Sequence, residues 1–183
     1  MVTDYVPIID DAVDTFAAHL RVKLHDLGVE NPEQYISPEN AKNLRETLGR
    51  IANAANCFAS SSEYDHIATD IQNVYSWLIT YPVSPERTIV PLDFSTSSLG
   101  LMIGEALQAI GKTDDYMTIQ DAAATLGDTS TWVNQLIYRR KISVVIIRGR
   151  YMVPRDQILE HLQQSTQKKQ AASLKKTAQY ARK

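Results

Sequence analysis

Charge is distributed unevenly along this 183-residue chain, and the division limits how its two parts can fold together. Residues 116–183 contain twelve lysines and arginines but four acidic side chains, which gives a formal charge of +8. The preceding 115 residues contain seven basic and seventeen acidic side chains, a charge of −10, so the whole-chain charge of −2 conceals the division. A basic segment of this size attracts phosphate, whereas an acidic one is repelled by it. We therefore expect two units with different partners.

Composition and length place few restrictions beyond that division. The chain is long enough for one medium domain or two small ones, and its 44% hydrophobic content is ordinary for a soluble globular protein. No apolar run approaches the roughly 20 residues that cross a bilayer, and the acidic N-terminus is unlike a signal peptide. The single cysteine, Cys57, excludes an internal disulfide and a CxxC metal site. These features predict a cytoplasmic protein without a membrane partner.

Helical periodicity dominates residues 1–111, where apolar residues recur three and four positions apart in four successive segments. Ser37 and Pro38 are predicted to cap and begin the second helix, and Gly111 to end the fourth. Two prolines within four residues, Pro82 and Pro85, indicate an extended or loop-like linker over residues 82–95. Since each helix must bury one apolar face, residues 1–111 are predicted to form a helical bundle, closed within one chain or between two. We expect this acidic domain to serve in dimerisation or in binding a partner.

Residue types that carry enzyme chemistry do not form a recognisable arrangement. Adjacent carboxylates such as Asp10 and Asp11 point about 100° apart on a helix, so the pair does not build a shared acid and base site. The sequence contains no glycine-rich phosphate loop, no GxSxG and no HExxH motif. Its four histidines are scattered and lack a neighbour at metal-ligand spacing. We therefore predict that the protein is not an enzyme and has no catalytic residue, metal site or cofactor.

The basic part of the chain begins with two short helical segments. Thr118 is a suitable N-cap, supported by Asp121, and Gly127 is expected to end the first helix. Thr129 is expected to cap the second helix. The inward positions of that second helix are Val133, Leu136 and Ile137. Two short helices joined by a turn that contains glycine predict a helix-turn-helix, whose second helix enters the major groove of DNA.

A hairpin and a final helix are predicted to follow. Residues 142–147 are rich in β-branched side chains and predict a strand, and residues 148–150 predict a tight turn around Gly149. Residues 151–153 return as the second strand. Pro154 then begins a helix that extends to about Gln163. Its inward positions are Ile158, Leu159 and Leu162. The predicted fold is thus mainly α: an N-terminal helical bundle and, over residues 114–163, a winged helix-turn-helix with a short β-hairpin.

This order of elements resembles the excisionase/MerR-like winged helix-turn-helix family over roughly residues 116–163. The matching residues are Thr118, Ala122, Ala123, Leu126, Gly127, Thr129, Val133, Leu136, Ile137, Arg148, Gly149, Arg150, Val153 and Pro154. Two positions depart from the family pattern. Asp128 stands where the family usually has an apolar residue, and Arg140 where it usually has glycine after the recognition helix. The resemblance implies double-stranded DNA as a partner.

Helical geometry places several polar side chains of the basic part on the side opposite the inward positions. The candidate DNA-binding residues are Ser130, Thr131, Asn134, Gln135, Tyr138, Arg139, Arg140, Lys141, Arg148 and Arg150. The amides of Asn134 and Gln135 can bond adenine edges, whereas hydroxyl groups more often bind phosphates. The arginines at the predicted turn suit a phosphate or an adjacent minor groove. Trp132 lies beside the inward positions, where packing is the favoured interpretation over a base contact.

Residues 164–183 are polar and basic, and alone they are predicted to form a flexible tail. Three interpretations stay open for this tail. It serves as a non-specific DNA arm, folds on a protein partner, or only solvates the chain.

Three biological roles are compatible with this sequence. The first is a sequence-specific DNA-binding protein, a small bacterial or mobile-element transcriptional regulator that forms a homodimer through its N-terminal helices. The second is an antitoxin that masks a nuclease-type toxin and regulates its own operon. Some such antitoxins look similar, with a helical N-terminal region, a stretch like Val90-Pro91-Leu92-Asp93, an excisionase-like domain and a basic tail. The third is a phage excision or DNA-packaging factor.

Overall fold

The computed structural model of this protein describes residues 2–26, 30–31, 37–78 and 89–180. The helices in these ranges are α1 (Val6–Asp26), α2 (Pro38–Ala55), α3 (Tyr64–Leu78), α4 (Leu92–Ser95), α5 (Ser98–Ala109), α6 (Ile119–Leu126), α7 (Ser130–Tyr138) and α8 (Arg155–Tyr180). The strands are β1 (Tyr116–Thr118), β2 (Val145–Ile147) and β3 (Arg150–Pro154). The prediction of a mainly helical fold is confirmed, and the small sheet is antiparallel.

A first hydrophobic core lies among α1, α2, α3 and α5. Its most buried side chains include Leu48, Ile51 and Ile71, each with no exposed surface. Arg50 of α2 donates two hydrogen bonds to the Asp70 carboxylate of α3, at 2.6 and 2.9 Å. Because the predicted apolar stripes converge here, burial of those stripes is the main force that assembles these four helices.

The N-cap predicted for α2 is confirmed, since the Ser37 hydroxyl oxygen accepts a hydrogen bond from the Asn40 amide at 3.1 Å. Pro38 occupies the first turn, where its missing N–H leaves no helical bond unmade. Gly111 ends the region of α5 with a φ of +71°, the left-handed conformation that glycine adopts readily. Local capping residues thus set the start of α2 and the end of the α5 region.

The sheet has the strand order β1-β3-β2, with Met117 opposite Val153 and Val145 opposite Met152. Val145 and Ile147 point into the first core, against α5. A second core lies on the other side of the sheet. It contains Met117, Ala122, Ala123, Val133, Leu136, Ile137, Ile142, Val144, Val153 and Ile158. The sheet therefore contributes to both cores, although the division predicted between residues 111 and 114 stays a prediction.

The contact between α5 and β2 is unusually close at Gly104. A β-carbon at this position would overlap the carbonyl oxygen of Ile146. Gly100, one turn earlier on α5, is close to α4 in the same way, because a β-carbon there would overlap the Phe94 carbonyl oxygen. These two glycines allow the backbone of α5 to approach its neighbours directly.

The linker predicted over residues 82–95 is wrong in part. Residues 82–88 lie outside the described residues, but Leu92–Ser95 form helix α4 rather than extended chain. The preceding Ile89 and Val90 are buried, and the Val90 carbonyl oxygen accepts from the Val144 amide at 3.1 Å. The Ser95 hydroxyl donates to the Val144 carbonyl oxygen. Contacts with residues 143–144, which are distant in sequence, hold residues 89–95 in place. Local composition therefore did not predict the structure of this segment.

Three further predictions in the basic part need correction. Strand β2 includes only residues 145–147 of the predicted 142–147, because the Val144 backbone bonds to Val90 and Ser95 and the Ser143 amide to the Gln157 side chain instead. Strand β1 was not predicted. Leu159 is 44% exposed rather than inward, and α8 continues to Tyr180 instead of ending near Gln163. Helix α8 therefore covers most of the segment predicted as a tail, whose flexibility stays a prediction.

None of the helices in the described ranges combines the length and apolar character that crossing a bilayer requires.

Candidate nucleic-acid interface

Three side-chain hydrogen bonds define the start of α6 and the turn between α6 and α7. Thr118 accepts from the Asp121 amide at 3.1 Å, and Thr129 accepts from the Trp132 amide at 3.2 Å. Gly127 adopts a φ of +66° between the two helices. Asp128, which departs from the family pattern, accepts from the Thr129 amide at 2.8 Å through its carboxylate. An exposed, polar residue here therefore stabilises the turn without adding to a core.

Helix α7 has one buried side and one exposed side. Its inward residues Val133, Leu136 and Ile137 are buried in the second core, as predicted. The exposed residues are Thr131, Asn134, Gln135, Tyr138 and Arg139. Tyr138 is 73% exposed, which is high for an aromatic side chain in a folded domain. This surface, which we call the α7 face, presents amide, hydroxyl and phenol groups to solvent.

Two side chains of α7 are half-buried. One is Ser130, a predicted site residue at the first position of the helix. The other is Trp132, which was not predicted as a site residue and packs against the second core. The structure thus places Trp132 in the packing position that the sequence favoured.

The exit from α7 depends on Arg140. This residue has a φ of +54°, the conformation that glycine would adopt at the same position in the family pattern. The Arg140 amide donates a hydrogen bond to the Ile137 carbonyl oxygen at 2.9 Å, and the Lys141 amide donates one to the Leu136 carbonyl oxygen at 2.8 Å. These two bonds close the end of α7 as in a Schellman motif. Arg140 is half-buried, with a guanidinium nitrogen 3.9 Å from the Asp93 carboxylate. It therefore faces α4, whereas Arg139 and Lys141 are exposed.

The turn between β2 and β3, which we call the hairpin tip, consists of Arg148 and Gly149. Ile147 and Arg150 are paired across it, so the loop has two residues. Arg148 has a φ of +54° and Gly149 of +68°, and positive φ at both positions matches the right-handed twist of the strands. Both Arg148 and Arg150 are exposed, and they line a shallow cavity of about 340 Å³ together with Thr118 and Met152.

Positive charge is concentrated around these two features. From Ser130 to Pro154 the chain has five arginines and lysines and no acidic residue. Such a run of positive charge attracts phosphate groups to the α7 face and the hairpin tip.

A buried polar network joins the segment 89–95 to α8, and no sequence pattern indicated it. The Gln157 side chain accepts from the Ser143 amide at 2.7 Å and donates to the Ser143 hydroxyl at 3.0 Å. The same hydroxyl accepts from the Val90 amide at 3.0 Å. The segment is thus fixed against the strands that lead to the hairpin tip.

No cluster of three or more potential metal ligands occurs among the residues that the structure describes. The described tyrosines with perturbed pKa values are Tyr5, Tyr75 and Tyr116, and burial is the first cause in each case. Raised tyrosine pKa values keep the phenols neutral, which does not produce a nucleophile or a general base.

Comparison with protein-family models, with curated proteins and with solved structures found no match for this chain. A functional conclusion therefore has to come from the residues and their geometry.

Proposed function

We propose that this protein binds double-stranded DNA sequence-specifically, through a winged helix-turn-helix that contains α6, α7, the sheet and the start of α8. The element order β1-α6-α7-β2-β3-α8 and the strand order β1-β3-β2 support this assignment. In it, α7 is the recognition helix and the hairpin tip is the wing.

The main observation in support is the α7 face, where exposed amides are followed along the chain by the basic residues 139–141. Asn134 and Gln135 are adjacent and exposed, and each amide can form two hydrogen bonds with an adenine edge in the major groove. Thr131, Tyr138 and the cations Arg139 and Lys141 suit phosphate contacts that fix the register. A solvated surface of a small domain would more commonly carry both signs of charge.

We assign different roles to the two arginines of the wing and to Arg140. Arg148 at the hairpin tip and Arg150 at the adjoining end of β3 are exposed and would contact phosphates or the adjacent minor groove. Arg140 is half-buried beside Asp93, so we assign it to holding the exit of α7. Ser130, half-buried at the start of α7, would bind a phosphate close to the helix N-terminus.

A homodimer through the N-terminal helices is part of the proposal. One module of this size buries too little DNA for tight specific binding, and a dimer reads two half-sites. Val2, Val6 and Phe58 are 61–65% exposed. The Asn56 side chain bonds the Thr3 backbone in both directions at 2.9 Å, which brings these apolar residues into one neighbourhood. An apolar patch of this kind favours self-association.

The regulator role is favoured over the antitoxin role by the position of residues 90–93. Val90 is buried, Leu92 packs against the second core and Asp93 lies beside Arg140. The stretch that looked similar to an antitoxin motif is therefore engaged within its own chain. We propose a small transcriptional regulator of a bacterium or mobile element.

Selection of bound duplexes from a random pool tests the specificity. Wild-type protein should enrich a sequence motif, and Asn134→Ala/Gln135→Ala should lose that motif while it still binds DNA at low salt. Gln163→Ala/Gln164→Ala removes two exposed amides from α8 and should enrich the wild-type motif. If the wild type enriches no motif, or the α7 variant enriches the same one, the proposed base readout is wrong.

A further inference from the structure

A cavity of about 440 Å³ lies between α3 and the start of α8, on walls from both parts of the chain. Tyr75 and Gln72 of α3 line it on one side, and Tyr116 and Leu159 on the other. Small-molecule sites in proteins have volumes of about 300 to 1,000 Å³. No candidate DNA-binding residue contributes to this cavity, so it is separate from the α7 face and the hairpin tip.

Tyr75 gives the first indication of what the cavity binds. The residue is 4% exposed, and no hydrogen bond from its hydroxyl occurs within the part of the chain that the structure describes. The hydroxyl oxygen is not among the fully buried unpaired polar atoms of these residues, so it keeps accessible surface and can bond to water or to a ligand. A ligand that carries a carbonyl oxygen or a ring nitrogen would offer an acceptor to this hydroxyl.

Tyr116 provides a second donor beside the first. The two phenols are close enough for the charge of one to affect the other. Burial, together with the carboxylates of Asp115 and Asp156, raises the pKa of Tyr116 to about 12, and burial raises that of Tyr75 well above its usual range. Both hydroxyls therefore keep their protons at neutral pH and act as donors.

The mouth of the cavity presents hydrogen-bond acceptors, whereas the two phenols present donors. Asp115 and Asp156 are exposed there and carry carboxylate oxygens that accept hydrogen bonds. Arg155 at the same edge donates to the Asp114 carbonyl oxygen at 3.3 Å. Two carboxylates against one guanidinium disfavour an anion and favour an amino group. Val90 and Val145 supply apolar wall between these ends, which suits a flat ring.

We propose that this cavity binds a small uncharged heterocycle with a carbonyl or ring-nitrogen acceptor at its buried end and an amino group at its outer end. Such a ligand would contact α3 and the start of α8 at once, and so link the acidic and basic parts of the chain. The proposal does not depend on DNA binding.

Titration of the full-length protein with adenine and with cytosine, observed by NMR on ¹³C-labelled tyrosine rings, tests it. Saturable shifts of the Tyr75 and Tyr116 signals are expected with at least one of the two probes, and none with benzoate, an anion of similar size. Tyr75→Phe removes one hydroxyl and should weaken binding about tenfold. Tyr64→Phe changes a tyrosine of the same helix that does not line the cavity and should bind as the wild type does.

Leu159→Trp provides an independent variant, because it enlarges a side chain that is 44% exposed at the cavity rim and should abolish the shifts without disturbing a core. The proposal is overturned if neither probe shifts the two signals, if benzoate shifts them equally, or if Leu159→Trp binds as the wild type does.

Discussion

At the residue scale, helix ends show what local sequence can and cannot predict. Ser37, Thr118 and Thr129 cap their helices as predicted, since a hydroxyl before an apolar run is a local signal. Cys57 and Arg140 adopt φ values of +61° and +54°, and neither residue type signals this conformation. Only the family resemblance marked the Arg140 position, because glycine is usual there.

Cys57 offers a direct test of this local strain. The Cys57→Gly variant should raise the free energy of unfolding by about 0.5–1 kcal/mol, because a β-carbon is unfavourable at positive φ. Cys57→Ser keeps the β-carbon and should be nearly neutral. Gly127→Ala imposes a β-carbon at φ +66° and should lower the free energy of unfolding by about 1 kcal/mol. Urea denaturation measures all three, and a destabilised Cys57→Gly would contradict the assignment.

Tyr5 is expected to make the stability depend on alkaline pH. Burial and the hydrogen bond that Tyr5 donates to Glu105 raise its pKa to about 12, above the usual value of 10.0. The folded state therefore holds this proton more tightly than the unfolded state. The resulting stabilisation is present below pH 10 and is lost as the pH rises towards 12. Urea midpoints between pH 8 and 11 should fall more steeply for the wild type than for Tyr5→Phe, and equal slopes would refute this cause.

At the element scale, long amphipathic helices were predictable and short paired segments were not. Apolar stripes defined α1, α2, α3 and α5 because each helix buries one face. Strand β1 has three residues and exists through its pairing with β3, so no local pattern marks it. The segment 89–95, which includes α4, and residues 143–144 depend in the same way on each other.

The close contact between α5 and β2 predicts a strong effect of one methyl group. Gly104→Ala should lower the free energy of unfolding by about 1–3 kcal/mol, because its β-carbon would overlap the Ile146 carbonyl oxygen. Gly49→Ala is the matched control in α2, where a β-carbon meets no atom within 4 Å. Alanine is the better helix former, so this control should gain up to about 1 kcal/mol. Thermal or urea unfolding of both variants measures these changes in the free energy of unfolding. A neutral Gly104→Ala would contradict the prediction and show that α5 and β2 separate easily.

At the scale of the whole molecule, the charge division predicted two units, and the structure adds a sheet that contributes to both cores. The sequence could not reveal this, because Val145 and Ile147 look like residues of any buried strand. The α7 face was predictable from helical geometry alone. The direction of Arg140 towards Asp93 was not, since it depends on a contact between residues 47 positions apart in sequence.

The proposed dimer makes a prediction for this scale. Val6→Ser/Phe58→Ser should shift the protein from dimer to monomer in sedimentation equilibrium, because it removes exposed apolar surface from the N-terminal patch. Leu159→Ser, a similarly exposed leucine on α8, should leave the mass unchanged. A wild type that sediments as a monomer would exclude dimerisation through this patch.

The salt dependence of DNA affinity tests the central claim most directly. The logarithm of the binding constant should fall linearly with that of the salt concentration, and Arg148→Gln/Arg150→Gln should reduce the slope by about 1.8, or 0.9 for each lost phosphate contact. Lys42→Gln/Arg45→Gln removes two exposed cations of α2 and should leave the slope as it is in the wild type. Slopes that are equal in all three proteins, or no binding at low salt, would contradict the assignment of α7 and the hairpin tip as a DNA-binding surface.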